Sequence, residues 1–168
     1  LEVVAAVRRM RHEGVTAGGA ELSSPPRYLI GVAEMPLADP YDPARLEQKL
    51  DAGAEVVWTQ IAYDVEALAA WAEAARARGV FERASVIVGL VPLRTAKGAR
   101  FMDEKLPGVR VPPSIVAALE SAGPEAAGAG LGDELAVAPV GKTAARHEVR
   151  LLAAARIEDH RVLAGVVR

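Results

Sequence analysis

Two polar residues, Thr59 and Gln60, stand where a short buried strand over 55–59 is expected to end. Gly53 closes the preceding helix, and Asp64 is placed to begin the next one. Parallel α/β sheets and barrels carry their chemistry at the carboxyl ends of their strands. The amide of Gln60 offers donors and an acceptor to a ligand. The alternative is a strand-end glutamine whose amide is bonded to loop backbone.

A second group of candidates surrounds the strand predicted over 27–33 and the helix that follows it. Ala33 ends this strand, and the Met35 thioether could pack against a ring or fill the core. Asp42 and Lys49 flank the helix, where Lys49 could supply a point charge to phosphate or ribose oxygens. The alternatives are a helix cap for Asp42 and a solvated position near the helix end for Lys49. Glu34 places a carboxylate at the same strand end.

Several other kinds of site find no support in the sequence. The segment 140–143 resembles the end of a phosphate-binding loop, but Ala136 stands where the first glycine should fall. The three histidines are scattered and there is no cysteine, so we predict no metal site. A net charge of −2 and the lack of a long apolar run argue against nucleic-acid and membrane partners. The absence of cysteine fits a reducing, cytoplasmic location.

The elements that position these residues form a regular repeat. Strands are predicted over 27–33, 55–60 and 85–91, and amphipathic helices are predicted over 42–52 and 64–78 between them. Further helices are expected over 1–13, 95–105 and 113–121. Alternating strands and helices indicate an α/β fold with a parallel sheet. A complete (β/α)8 barrel needs roughly 250 residues, so the 168 residues of this chain fit a partial barrel or a smaller fold.

The motifs in these segments resemble those of the methylenetetrahydrofolate reductase family. The resemblance rests on Lys-x-Asp-Ala-Gly-Ala at 49–54, on Thr59-Gln60, and on the helix start Tyr63-Asp64-x-Glu66. Gly-Val-Ala at 31–33 and Gly-Leu-Val-Pro-Leu at 89–93 strengthen it. It covers residues 1–121 and implies the carboxy-terminal half of a (β/α)8 barrel. The amino-terminal half, which the family would place before Leu1, is expected from a partner or from a longer protein.

The resemblance also implies an activity and a role for each candidate. Members reduce 5,10-methylenetetrahydrofolate to 5-methyltetrahydrofolate with FAD and with NADH or NADPH as electron donor. Gln60 matches the glutamine that touches folate. Asp42 and Lys49 match residues that contact the flavin nucleotide, Ala33 matches a small residue beside the isoalloxazine ring, and Met35 stands where some members have an aromatic residue. The essential acidic residue of the family lies on the first barrel strand, so the catalytic residue here is unknown.

The last quarter of the chain resembles the family poorly. Its composition predicts a flexible linker over 122–132, then a helix near 143–155 and a possible strand over 161–167 within the segment 133–168. Three interpretations remain open: part of an active enzyme, a half-barrel that pairs with itself or with an amino-terminal subunit, and a non-catalytic binding or scaffold subunit. The chain is expected to form a homo-oligomer or to pair with a partner that supplies the amino-terminal half-barrel.

Overall fold

The computed structural model describes residues 1–126 and 165–167, with side chains described up to 122. The described elements follow the chain as α1 (Glu2–Glu13), β1 (Gly31–Glu34), α2 (Pro43–Asp51), β2 (Val56–Ile61), α3 (Val65–Ala77), α4 (Val80–Arg83), β3 (Ser85–Gly89), α5 (Ala96–Lys105), α6 (Pro113–Ala126) and β4 (Gly165–Val167).

The described strands form one sheet in the order β1-β2-β3-β4. Strand β1 runs parallel to β2, with Ala33 opposite Trp58, and β2 runs parallel to β3, with Val57 opposite Val86. The predicted parallel arrangement of these three segments is therefore confirmed. Strand β4 pairs with β3 in the antiparallel direction, so the parallel repeat does not extend to it. A parallel or an antiparallel neighbour can satisfy the backbone N–H and C=O groups at the edge of β3. The apolar pattern of 161–167 predicted a strand but not its direction relative to β3.

Side-chain caps and glycines set the helix boundaries as predicted. The carboxylates of Asp42 and Asp64 accept hydrogen bonds from the backbone at the starts of α2 and α3, at 3.0 and 2.9 Å. The Thr95 hydroxyl does the same at the start of α5. Gly79 follows α3 in the left-handed region, with φ of 69°, which glycine adopts without strain. These local signals explain why the predicted bounds of α2, α3 and α5 lie within one residue of the observed ones.

Four local features differ from the prediction. Strand β3 ends at Gly89 and not at 91. Helix α6 continues from its predicted end at 121 to Ala126, so the first residues assigned to the linker are helical and the remainder lies outside the described part. The short helix α4 was not predicted. Strand β1 begins at Gly31 and not at 27, because the preceding Ile30 N–H donates to the Glu55 side chain, 3.1 Å away, in place of a neighbouring strand. The predicted helix near 143–155 also lies outside the described residues.

One face of the sheet carries the core and the other is open in the described part of the chain. Val32, Val57 and Val86 point to the covered face and pack against helices α2 and α3 within one apolar cluster. A second cluster joins Tyr63 to α5, α6 and the segment between them. On the opposite face Gly31, Ala33 and Trp58 are exposed. Over residues 1–126 and 165–167, no helix is both long and apolar enough to cross a membrane.

Candidate functional site

A cavity of about 420 Å³ lies at the carboxyl edge of β1 and β2 and extends along α2. The segment after β1 forms one wall, and the end of β2 forms another. The cavity is lined by every residue that the sequence singled out for a ligand, namely Ala33, Met35, Asp42, Lys49 and Gln60. Residues separated by up to 27 positions in the sequence therefore meet at one place, as the parallel topology requires.

The floor of this cavity contains a charge pair. Lys49, in the last turn of α2, donates from Nζ to the Glu34 carboxylate and to the Ala33 carbonyl oxygen, both at 2.7 Å. Glu34 is only 5% exposed, whereas the Lys49 side chain is 26% exposed. The pair fixes the helix end against the strand end and leaves Lys49 one of its three N–H donors. Lys49 thus differs from the freely solvated lysine that the alternative interpretation predicted.

Tyr41 borders the same charge pair. Burial raises the pKa of the Tyr41 hydroxyl, and the negative charge of Glu34 nearby adds to that rise. Tyr41 therefore stays neutral at the cavity wall across the physiological range. Arg45 on α2 is exposed and also lines the cavity, so this helix presents a second cation beside Lys49.

A β-bulge shapes the end of β2 beside the cavity. Trp58 pairs with Ile87 and Ile61 pairs with Gly89, so β2 contains one more residue than β3 over this interval. The buried Thr59 fills the gap: its hydroxyl accepts from the Gly89 N–H at 3.0 Å and donates to the Gln60 carbonyl at 2.9 Å. A Cβ at Gly89 would lie 2.8 Å from the Thr59 carbonyl oxygen, so this position requires glycine.

Gln60 projects from the bulge toward the segment between α5 and α6. Its Oε1 accepts from the Ile61 N–H at 3.0 Å, and its Nε2 donates to the Pro107 carbonyl at 3.1 Å. This is the backbone-bonded arrangement that the structural alternative described. One amide hydrogen and one lone pair of the side chain remain for a ligand. The role of Gln60 in binding stays a prediction.

Met35 contacts the same segment. A Cβ at Gly108 would lie 3.0 Å from Met35 Sδ, so the two residues are in close contact. Met35 is nevertheless 45% exposed, which shows that it does not serve as core filler in the described part of the chain. The turn at 107–108 therefore braces both Gln60 and Met35 at the cavity rim.

Sequence reasoning missed the roles of three cavity residues. Trp58 was read as part of a buried strand, but it is 49% exposed because helices cover only one face of the described sheet. The pairing of Glu34 with Lys49 depends on how α2 lies over β1, which a separation of 15 residues does not reveal. Tyr41 lies in a loop of small and proline residues, and only the fold shows that it borders this pair. The exposure of Trp58 could have been predicted by assuming that side chains 56–60 alternate between a covered and an open face of the sheet.

A parallel βα sheet with a cavity at the carboxyl ends of its strands defines the class of parallel α/β proteins, whose ligands commonly lie at this edge. Within this class, a family model described as methylenetetrahydrofolate reductase matches residues 23–152, well over half of the chain. The chain belongs to this family. A comparison with curated proteins found no match.

The family match confirms the resemblance and changes its extent. It begins at 23 and reaches 152, whereas the motifs predicted 1–121. All five predicted site residues fall inside the matched range. Membership supports an oxidoreductase that acts on folate, and it implies a TIM-barrel fold, with which the three parallel strands are consistent.

Proposed function

We propose that this chain forms the flavin- and folate-binding edge of an FAD-dependent methylenetetrahydrofolate reductase, with NADH or NADPH as electron donor. The product would be 5-methyltetrahydrofolate. One observation carries the proposal: the five residues singled out from the family motifs line one cavity at the carboxyl edge of β1 and β2. Ligand sites of parallel α/β proteins occupy this position.

The residues of the cavity fit the flavin nucleotide that the family implies. Lys49 keeps one free N–H donor and Arg45 adds an exposed guanidinium, so the α2 wall suits phosphate oxygens. Asp42 offers the carboxylate oxygen that its cap does not use to a ribose hydroxyl. Ala33 is small and exposed, which leaves room for a flat ring beside the strand. In this reaction the flavin supplies the hydride carrier between the nicotinamide donor and the folate.

Gln60 would orient the folate at the opposite side of the cavity. Its amide keeps one donor and one acceptor, which suit the alternating donors and acceptors of a pterin edge. The backbone bonds to Ile61 and Pro107 hold the amide in place before the ligand arrives. Such preorganisation reduces the entropy lost on binding.

The sheet supports a further part of the proposal, namely that the chain forms the carboxy-terminal half of a (β/α)8 barrel. The three parallel strands of the described residues are too few to close a barrel, and the face that is open in this part of the chain needs a covering layer. A second copy or an amino-terminal segment would supply it. The segment 1–121 would be the barrel part, followed by the linker and the carboxy-terminal helix and strand.

Binding measurements on the full chain test this function. Calorimetric titrations with FAD and with 5-methyltetrahydrofolate should both show binding. Gln60→Ala removes the amide, so folate affinity should fall about tenfold or more while FAD affinity is unchanged. Gln48→Ala, on the exposed side of α2, is the matched control and should bind both ligands normally.

A second variant tests FAD binding separately from folate binding. Glu34→Gln combined with Lys49→Gln removes the cation without leaving a buried charge unpaired, and it should weaken FAD binding first. Failure of the unaltered chain to bind either ligand, both alone and with the amino-terminal half of the barrel supplied, would contradict the proposed enzyme and favour a non-catalytic scaffold subunit.

A further inference from the structure

Trp58 is unusual among the large side chains of the sheet because it is half exposed at the centre of a strand. The residue before it, Val57, is fully buried against the helices, and Trp58 points to the opposite face. Its 49% exposure leaves a large apolar surface toward solvent in the described part of the chain. Aromatic side chains left open in a concave site commonly serve as contact surfaces for ligands.

The position of the indole ring is fixed by its neighbours. Trp58 lies opposite Ala33 in the parallel register, and the Cζ3 edge of its ring points at Gly31 on β1. A Cβ at Gly31 would come within 1.9 Å of the indole Cζ3, so only glycine leaves space for the ring there. The Cζ3 edge of the indole thus abuts the β1 backbone, and the half-exposed ring lies on the open side of the sheet.

Trp58 also shares its cavity with the proposed binding residues. The ring borders the space between Ala33, on the flavin side, and Gln60, on the folate side. A flat ligand held at its polar edge by the Gln60 amide would place its face within reach of the indole. This combination of an aromatic platform and an amide is suited to a planar, nitrogen-rich heterocycle.

We propose that Trp58 is a stacking platform for a pteridine ring, the heterocycle common to the pterin of folate and the isoalloxazine of flavin. The inference rests on the proposed function and adds to it a specificity-determining residue that acts through ring contact. Stacking on the indole selects planar ligands, and the Gln60 amide selects among them by hydrogen bonding. The ring contact provides affinity that the charged groups around Lys49 cannot provide.

Intrinsic fluorescence can test this contact directly, because the chain has two tryptophans and the other, Trp71, is buried. In the full chain carrying Trp71→Phe, emission comes from Trp58 alone. We expect red-shifted emission that acrylamide quenches in the free protein. Binding of 5-methyltetrahydrofolate, or of riboflavin in a separate titration, should quench the emission and protect the ring from acrylamide. Comparison of the two titrations shows whether the folate or the flavin ring stacks on Trp58.

Affinity measurements provide the second test and do not require Trp71 to be replaced. Trp58→Ala should weaken the stacked ligand by about 5- to 150-fold, and Trp58→Phe by less. Gly31→Ala displaces the ring without removing it and should also weaken binding. Phe101→Ala, which removes an exposed aromatic side chain on α5, should leave affinity unchanged.

The outcomes separate this inference from the function on which it rests. Normal affinity in a folded Trp58→Ala, checked by circular dichroism, would overturn the stacking role and leave the proposed function standing. A blue-shifted Trp58 emission that resists acrylamide in the free protein would also overturn it, because another part of the protein would then cover the ring. Absence of binding by the unaltered chain, both alone and with the amino-terminal half of the barrel supplied, would overturn the proposed function itself.

Discussion

The buried charge pair of Glu34 and Lys49 shows how a single residue can have both a structural and a ligand-binding role. Glu34 is nearly inaccessible, so its carboxylate requires a partner, and Lys49 supplies it at 2.7 Å. The same lysine has one N–H left toward the cavity. A loss of ligand binding in a Lys49 variant therefore has two causes that must be separated.

Lys49→Ala should destabilise the protein by about 2 to 4 kcal/mol, because it leaves the Glu34 carboxylate buried without its partner. Adding Glu34→Gln to Lys49→Gln should recover most of this stability. Urea unfolding followed by circular dichroism measures both effects. Lys97→Ala, at an exposed position on α5, is the control and should change the unfolding free energy by less than about 0.5 kcal/mol. Equal stability of Lys49→Ala and the unaltered chain would show that the pair is not structural.

At this scale the sequence located the candidates but not their contacts. Ala33, Met35 and Gln60 could be predicted because they stand at the ends of recognisable strands. Asp42 could be predicted as a cap because capping depends on neighbours within one helical turn. The pairing of Glu34 with Lys49 could not, since it depends on the orientation of α2 over β1. Whether the five residues bind ligands stays a prediction.

At the scale of elements, the bulge in β2 connects sheet geometry to the cavity. Thr59 replaces a ladder hydrogen bond with its hydroxyl and thereby holds the extra residue in place. The three parallel strands and the helix caps could be predicted from apolar runs, glycines and polar residues at the helix starts. The bulge could not be predicted, because it arises from the pairing of two strands and has no local sequence signal at Thr59.

Thr59→Val keeps the shape of the side chain but removes the hydroxyl, so the Gly89 N–H loses its partner. We expect a loss of about 1 to 3 kcal/mol in unfolding free energy. Folate affinity should fall as well, because Gln60 loses its fixed orientation. Thr59→Ser keeps the hydroxyl and should retain folate affinity. If valine and serine behave alike in urea unfolding and in folate titration, the hydroxyl does not maintain the bulge.

A second contact between elements links α1 to the amino end of β2. Arg11 Nη1 lies 2.5 Å from the Glu55 carboxylate, which also accepts from the Ile30 N–H. The hydrogen bond from Arg11, followed by that from Ile30, lowers the pKa of the Glu55 carboxyl. A lowered pKa in the folded state stabilises the protein above the ordinary pKa of a glutamate, and this stability is lost as pH falls through the lowered value.

The unfolding midpoint in urea should therefore drop as the pH falls below about 4.5, the ordinary pKa of a glutamate. Glu55→Gln should show a smaller drop than the unaltered chain. Glu13→Gln serves as the control because Glu13 forms only an exposed pair with Arg9, within α1. Its acid profile should follow that of the unaltered chain. Identical profiles for Glu55→Gln and the unaltered chain would mean that this link does not contribute to acid stability.

At the scale of the whole molecule, family membership was predictable and its full extent was not. Short motifs at 31–33, 49–54 and 59–60 were sufficient for the family, because they combine strand ends with helix boundaries at fixed spacing. The match to 152 includes residues of glycine- and alanine-rich composition that carry no comparable motif. The antiparallel direction of β4 likewise depends on pairing partners and not on local pattern.

The open sheet face and the outer edge of β1 lead to a prediction about assembly. In the described part of the chain β1 pairs only with β2, and Leu29 beside it is 72% exposed. Unpaired strand edges with apolar neighbours favour association. Light scattering should therefore give a mass above the 17.6 kDa of one chain.

Leu29→Lys should shift the protein toward the monomer, because it places a charge beside the free edge. Val3→Lys introduces the same charge at an equally exposed position on α1 and should leave the mass unchanged. A monodisperse particle of 17.6 kDa for the unaltered chain would contradict the predicted association.

The contact between Gly31 and Trp58 also restricts the order in which these positions can change during evolution. A side chain at 31 is excluded while the indole occupies its present place, because a Cβ there would lie 1.9 Å from the ring. A larger residue at position 31 therefore requires either that the indole gives up its present place or that position 58 becomes smaller. Relatives with alanine or a larger residue at 31 should carry a small side chain at 58, and the reverse order of substitution should be rare. The two positions, 27 residues apart in the sequence, would then vary as a pair.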